Sequence, residues 1–247
     1  MDRATKEVSS TILSFASLLF QQGASSRSWV RFPLGPLMKK TLSSAKKPIG
    51  EGSYRRVFEI DDRLVGKELK HRRVKKYGPL TVRYPMGWYC LFKFGIRDIN
   101  LHDFKKYQEL KKKIPDALKG NFGEIVDVKQ RGKESVLLMK KVKNYDGKMS
   151  KSLIETGSIA SRAFWEKIDQ IEKFFLENDV HYFIYPQDIA VRWISEKECE
   201  PVIIDFKRIG ARTYPAQPHL VLKSQAKKRV KRLFARLKEK YGFRQKP

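Results

Sequence analysis

Acidic residues are scarce in this chain, with 27 Asp and Glu against 53 Lys and Arg, a formal charge of +26 over 247 residues. Such an imbalance predicts a polyanionic partner and leaves open whether the phosphate belongs to a nucleotide, lipid, sugar or nucleic acid. Cysteine is scarcer still. Cys90 and Cys199 are too few and too far apart for a disulfide framework or a zinc ribbon. His71, His102, His181 and His219 form no spaced ligand set, and a reducing, cytoplasmic setting is the expectation. No run approaches the roughly 18 apolar residues of a membrane span, so no transmembrane segment is expected and any membrane contact would be peripheral. Core-forming residues are plentiful, 41% hydrophobic with 12% aromatic, which excludes global disorder. The length suits one domain, or two small lobes sharing a core.

Residues 1–37 read differently from the rest. The apolar run from Thr11 to Phe20 has the length of a secretory h-region, and small residues Gly23, Ala24 and Ser25 follow it. Against export, Glu7 sits in an n-region that carries only Arg3 and Lys6. A second reading concerns the gene: Val30-Arg31-Phe32-Pro33 is what the codons GTT-CGA-TTC-CCN encode, which resembles the T-arm of a transfer-RNA gene read in frame. On that reading translation starts at Met38, and about 210 residues carry the fold. Either way the segment is set aside from the fold.

From Ile49 to Leu69 the pattern is a β-hairpin turning at Asp61-Asp62-Arg63. Residues 70–76 are a basic, solvated stretch, and 77–100, rich in Gly, Pro and aromatics, an irregular insertion. A helix follows over 102–114, ended by Pro115. Strands are expected at 122–128 and 135–142, then a turn at Asn144-Tyr145-Asp146-Gly147. The strongest helix spans 158–178, with Phe164, Ile168, Ile171 and Phe175 on one stripe. Short strands at 189–194 and 202–204 precede a basic amphipathic helix. Residues 223–246 hold 11 cations and one acid, a face suited to anionic lipid or nucleic acid.

Gly50-Glu51-Gly52-Ser53-Tyr54-Arg55-Arg56-Val57 lies between strands and not before a helix. That context rejects a Rossmann turn and a Walker loop, and favours a hairpin flap whose amides cover phosphates. Lys67, within the apolar strand Leu64-Val65-Gly66-Lys67, needs a carboxylate or a phosphate partner. Glu109 on the 102–114 helix is the candidate carboxylate, with Glu124 as the other alignment. Asp188 precedes one short strand and Asp205 ends the next, a plausible Mg²⁺ pair. Taken alone, Asp188 reads more readily as a turn or N-cap acid than as a metal ligand; with Asp205 behind the strand the two readings balance.

Flap, strand lysine, helix glutamate, loop acid and strand-end acid follow the part order of the protein-kinase-like fold. More narrowly, the run Lys143 to Leu153, the loop Pro186-Gln187-Asp188-Ile189 and the basic helical ending resemble the PhoP regulatory network protein family, the YrbL-like proteins. The likeness covers about residues 48–242. It implies a bacterial, cytoplasmic protein with a kinase-like fold, associated with a magnesium-responsive regulatory network, and no established reaction. By position, Gly50 and Gly52 cover phosphates, Lys67 contacts them, Glu109 orients Lys67, and Asp188 and Asp205 hold the metal of ATP-Mg.

Three departures follow. Arg55 replaces the third flap glycine, which brings a cation to the phosphates and spoils close backbone approach. His181-Tyr182-Phe183 stands where kinases have His-Arg-Asp, so the base position is Phe183, and Asp179 or Asp188 would have to substitute. Only 42 residues follow Asp205, too few for a peptide-binding helical platform. The fold expected is therefore α+β, a two-lobed protein-kinase-like fold with a truncated C-lobe. Its divisions are 1–37, an N-lobe over 38–144 with the 77–100 insertion, and a short helical C-lobe over 145–247. The expected activity is phosphate transfer to a non-peptide substrate, with a nucleotide as partner and anionic lipid, a sugar phosphate or a protein as further candidate partners. The alternative is a pseudokinase-like regulator or scaffold binding a polyanion or protein partner, with nucleic acid the less favoured partner.

Overall fold

β-Favouring runs broken by acidic turns build the first sheet in the computed structural model, which describes residues 47–52, 54–70, 72–77, 80–86, 90–91, 97–131, 134–182, 184–209 and 223–242. Strands β1 (Gly50–Glu51), β2 (Arg55–Glu59) and β3 (Leu64–Leu69) pair antiparallel, with Val57 opposite Lys67. The turn between β2 and β3 is closed by Asp61, whose carboxylate accepts the Arg63 and Leu64 amides at 2.8 and 2.7 Å.

The sequence reading of the next segment changes. β4 (Arg72–Tyr77) and β5 (Leu80–Pro85) pair as a separate antiparallel ribbon across the expected basic stretch and insertion. Gly78-Pro79 between them is a turn dipeptide, and the dense Lys and Arg content obscured the β-formers Val74, Tyr77, Thr81, Val82 and Tyr84.

Helix α1 (Ile99–Lys111) begins three residues earlier than expected because Asp98 caps it, accepting from the Asn100 and Leu101 amides at 3.0 Å each. After a 3₁₀ turn (Asp116–Asn121), β6 (Ile125–Arg131) and β7 (Glu134–Lys140) complete a five-stranded sheet ordered β1-β2-β3-β7-β6. At Gly123 the backbone N–H donates to the Ile203 carbonyl at 2.7 Å, and a Cβ there would lie 2.2 Å from Met139 Cε. The Met139 end could shift, but the same Cβ would lie 3.1 Å from the Ile203 carbonyl oxygen, so a side chain here is tight against backbone.

That half holds β8 (Lys151–Ser152), α2 (Leu153–Thr156), α3 (Arg162–Glu177), a 3₁₀ turn (Pro186–Asp188), β9 (Ile189–Trp193), β10 (Cys199–Ile203) and α4 (Lys223–Tyr241). Its sheet order is β10-β9-β8, again antiparallel. The turn expected at 144–147 is present: the Gly147 amide donates to the Asn144 carbonyl at 3.0 Å, and Gly147 has φ of 77°.

Ser161 caps α3, and the predicted stripe Phe164, Ile168, Ile171 and Phe175 is buried, each such side chain contributing about 1.5–3 kcal/mol. Val230, Phe234, Leu237 and Tyr241 of α4 pack on the same core, with Phe234 edge-on to Phe175 at 6.2 Å between centroids. One hydrophobic cluster runs from Val65 and Tyr107 to α4, in a mixed α/β fold on antiparallel sheets. Among the described residues no helix is long and apolar enough to cross a membrane. The 1–37 segment lies outside them.

Candidate functional site

A cleft of about 340 Å³ opens beneath the β1–β2 flap, floored by the Pro186–Asp188 turn and the residues after β10. Gly50, Gly52, Lys67, Asp188 and Asp205 all line it, so residues spread over 155 positions meet in one place. Val57, Val65, Met139, Ala190 and Ile204 form its apolar walls. The volume lies within the range of small-molecule sites.

Lys67 is buried, and its Nζ donates to the Ile204 carbonyl at 2.6 Å. Burial, reinforced by the nearby Arg55 charge, lowers its pKa to about 7, against the pull of Asp103 and Asp188. With no carboxylate among the described residues in direct contact, this lysine is held by a neutral acceptor and faces the cleft.

Glu109 does not fill the role given to it. Its carboxylate pairs with Lys106 at 2.8 Å, its side chain is 65% exposed, and it lines a separate hollow with Asp179 and His181. Glu124 pairs with Lys140 at 2.7 Å and is likewise outside the cleft.

The buried acid of α1 is Asp103, six residues earlier. Its Oδ2 accepts from Arg55 at 2.5 Å and its Oδ1 from the Phe206 amide at 2.8 Å. Arg55 also donates to Asp205 at 3.0 Å and to Asn100 Oδ1 at 3.3 Å. The arginine in the third glycine position therefore ties the flap strand to α1 and to the strand-end acid. Asn100, fully buried, fixes the helix further by donating to the Lys67 and Ser135 carbonyls at 3.0 and 2.8 Å.

Asp188 is the turn acid of one of its readings, and it reaches the cleft. It caps its own turn, accepting from the Tyr185 amide at 3.2 Å. Its Oδ2 also accepts from Arg208 at 2.8 Å, whose guanidinium lies 4.0 Å from the Tyr185 ring centroid. Burial raises the Asp188 pKa, opposed chiefly by Lys207 and Arg208. Asp205 is ion-paired to both Arg55 and Lys207, and Tyr182 Oη donates to its carbonyl at 2.5 Å. Lys207 is itself buried, which holds its pKa well below the ordinary lysine value.

Asp179, the other candidate base, pairs with Lys227 at 2.8 Å and does not line the cleft. Phe183, at the position of the base, lies outside the described residues.

The Mg²⁺ expectation can be tested on this donor set. A magnesium site needs carboxylate oxygens free to coordinate, with waters or phosphate completing an octahedron. Here Asp205 already carries two cations and Asp188 a third. Among the described residues no group of three or more His, Cys, Asp or Glu is placed to hold a metal ion. As arranged, the residues do not fit a divalent ion.

No protein-family model and no curated protein matches the chain. Among solved structures, it is similar to WbdD co-crystallised with a kinase inhibitor, at 16% identity and a TM-score of 0.38 over 69% of this chain and 34% of that one. A second WbdD crystal structure gives 15% identity and a TM-score of 0.38 over 71% and 35%. The chain thus spans about a third of the length of these solved chains.

Lys207, Arg208 and Asp103 escaped the sequence reading. The first two stand two and three residues after Asp205 and look like ordinary surface cations in a chain this basic. Asp103 offered one signal, as the acid nearer the start of α1, where the helix enters beside β3.

Proposed function

We propose that this chain is a kinase-like protein that binds ATP in the flap cleft, with the base between Val57, Val65, Met139, Ala190 and Ile204 and the polyphosphate against Lys67. The observation that carries the reading is Lys67 itself: a buried lysine inside a small-molecule-sized cleft, with no carboxylate among the described residues in direct contact, and beneath a Gly-bearing flap. Burying an ammonium group is costly unless a partner uses it. A phosphate is that partner.

The part order of flap, strand lysine, loop acid and strand-end acid, converging on one cleft, supports a kinase-like fold. The resemblance of the 143–153 run and the 186–189 loop to YrbL-like proteins supports a setting in a bacterial regulatory network. Between phosphotransfer to a non-peptide acceptor and a binding-only, pseudokinase-like role, the residue type at position 183 favours the second. A phenylalanine where kinases carry the aspartate base cannot take a proton from an acceptor.

Calorimetric titration of the full chain with ATP tests the reading. Saturable binding is expected for wild type, weakened on the order of tenfold or more in Lys67→Met, because a charge-assisted hydrogen bond is lost. Wild type that takes up no ATP in any buffer overturns it. The pH dependence follows from the depressed lysine. Affinity is highest below about pH 7, where Lys67 is protonated, and falls as pH rises through that value. Folding stability has the opposite slope: between about pH 7 and the ordinary lysine value the unfolded chain binds more protons than the folded one, so stability rises with pH. Both slopes should flatten in Lys67→Met.

A further inference from the structure

The acids of the cleft are neutralised by side chains of the chain itself. Asp205 is bound by Arg55 from the flap strand and by Lys207 two residues on, and Asp188 is bound by Arg208. These cations are placed and not merely near. Arg55 and Lys207 are buried. Arg55 is anchored on Asp103 and Asn100, Lys207 lies over the Tyr54 ring at 5.7 Å, and Arg208 stacks on Tyr185. Arg55, Lys207 and Arg208 line the cleft together with Lys67.

We propose that Arg55, Lys207 and Arg208 take the place of the divalent ion in this cleft, so that it binds the polyphosphate of a nucleotide free of metal. The inference rests on the nucleotide reading above and deepens it by naming the ionic form of the ligand.

The charge arithmetic is direct. Lys207 and Arg208 together bring the two positive charges that one Mg²⁺ would bring, on groups covalently fixed beside the two acids. A metal ion drawing on both acids competes with Arg55 and Lys207 for Asp205 and with Arg208 for Asp188, and displacing them leaves buried cations without their carboxylates. A metal-free polyphosphate needs no such exchange. Its oxygens supply further acceptors to guanidinium and ammonium groups that still have donors to spare, since an arginine carries five N–H donors and a lysine three. Arg55 adds a connection to the flap: a phosphate accepting from it engages the group that joins β2, α1 and the strand-end acid.

The test compares ATP binding to the full chain in EDTA and in excess Mg²⁺ by calorimetry. Equal or tighter binding in EDTA is expected. Arg208→Gln and Lys207→Gln should each weaken EDTA binding about tenfold, with thermal unfolding run alongside to establish that each variant is folded. Asp205→Asn keeps the side-chain shape and releases Arg55 and Lys207, so it should bind metal-free ATP at least as tightly as wild type. Binding that requires Mg²⁺, or an Asp205→Asn variant that loses affinity as a metal ligand would, overturns the substitution and leaves the nucleotide cleft standing. Absence of ATP binding in both buffers overturns the nucleotide reading and this inference with it.

Discussion

Helices α1 and α3 both bury apolar side chains, yet α1 buries polar ones beside them, which α3 does not. α3 buries Phe164, Ile168, Ile171 and Phe175, an apolar stripe at helical spacing that meets α4 and the second sheet. α1 buries Asn100 and Asp103 among its inward residues, both fully inaccessible. α3 is held by area removed from water, which is additive and insensitive to direction. α1 is held by directed bonds to Arg55, to the Phe206 amide and to the strand carbonyls, each of which must find its partner or cost more than it contributes. A helix of the first kind shapes a core; one of the second kind positions a charged site.

The sharpest way to break the comparison is Asp103→Ala. It leaves Arg55 buried without its nearest carboxylate and the Phe206 amide without its acceptor. The expected loss is about 4 kcal/mol in urea denaturation, with weaker ATP binding as the flap strand loses its anchor. A loss under about 1 kcal/mol would mean α1 is held like α3.

On the other helix, Ile168→Ala should cost about 3 kcal/mol from lost burial and the cavity left behind, while ATP affinity measured at a temperature where the variant is folded stays within about twofold of wild type. Binding that fell in step with stability would show that the core and the cleft are not separable.

The smallest effect belongs to Glu109→Ala. Its carboxylate is mostly exposed and joined only to a neighbouring lysine on its own helix, so stability should move by less than about 0.5 kcal/mol. ATP affinity should not move at all. A marked drop in affinity would show that Glu109, and not Asp103, is the acid of α1 that orients the cleft.

The same contrast explains which parts of the molecule can be read from its sequence. Apolar period identifies α3 and the buried face of α4 residue by residue, because burial of that kind depends only on spacing along one element. Turn chemistry identifies the Asp61 hairpin and the Gly147 turn, because those bonds close within a few residues. The flap, Lys67, Asp188 and Asp205 were readable as an ordered set, and the fold gathers all of them around one cleft. The β4–β5 ribbon was lost under its charge, since backbone pairing leaves little trace where side chains are nearly all polar or cationic.

The sequence points to Glu109 and passes over Asp103 because helical spacing alone does not say which carboxylate turns inward when polar and apolar residues share the buried face. That choice is made by Arg55 and Phe206, 48 and 103 residues away in sequence.

The sequence by itself determined the strongly basic character of the chain, the elements with a regular apolar period, and the residue types a phosphate-binding cleft requires. Only the tertiary structure decided how those charges are spent. Whether Asp188 and Asp205 face a metal or the chain's own Arg55, Lys207 and Arg208 depends on contacts across as many as 150 residues. Ion pairs of that range follow from where the backbone carries each side chain, and no local pattern encodes them.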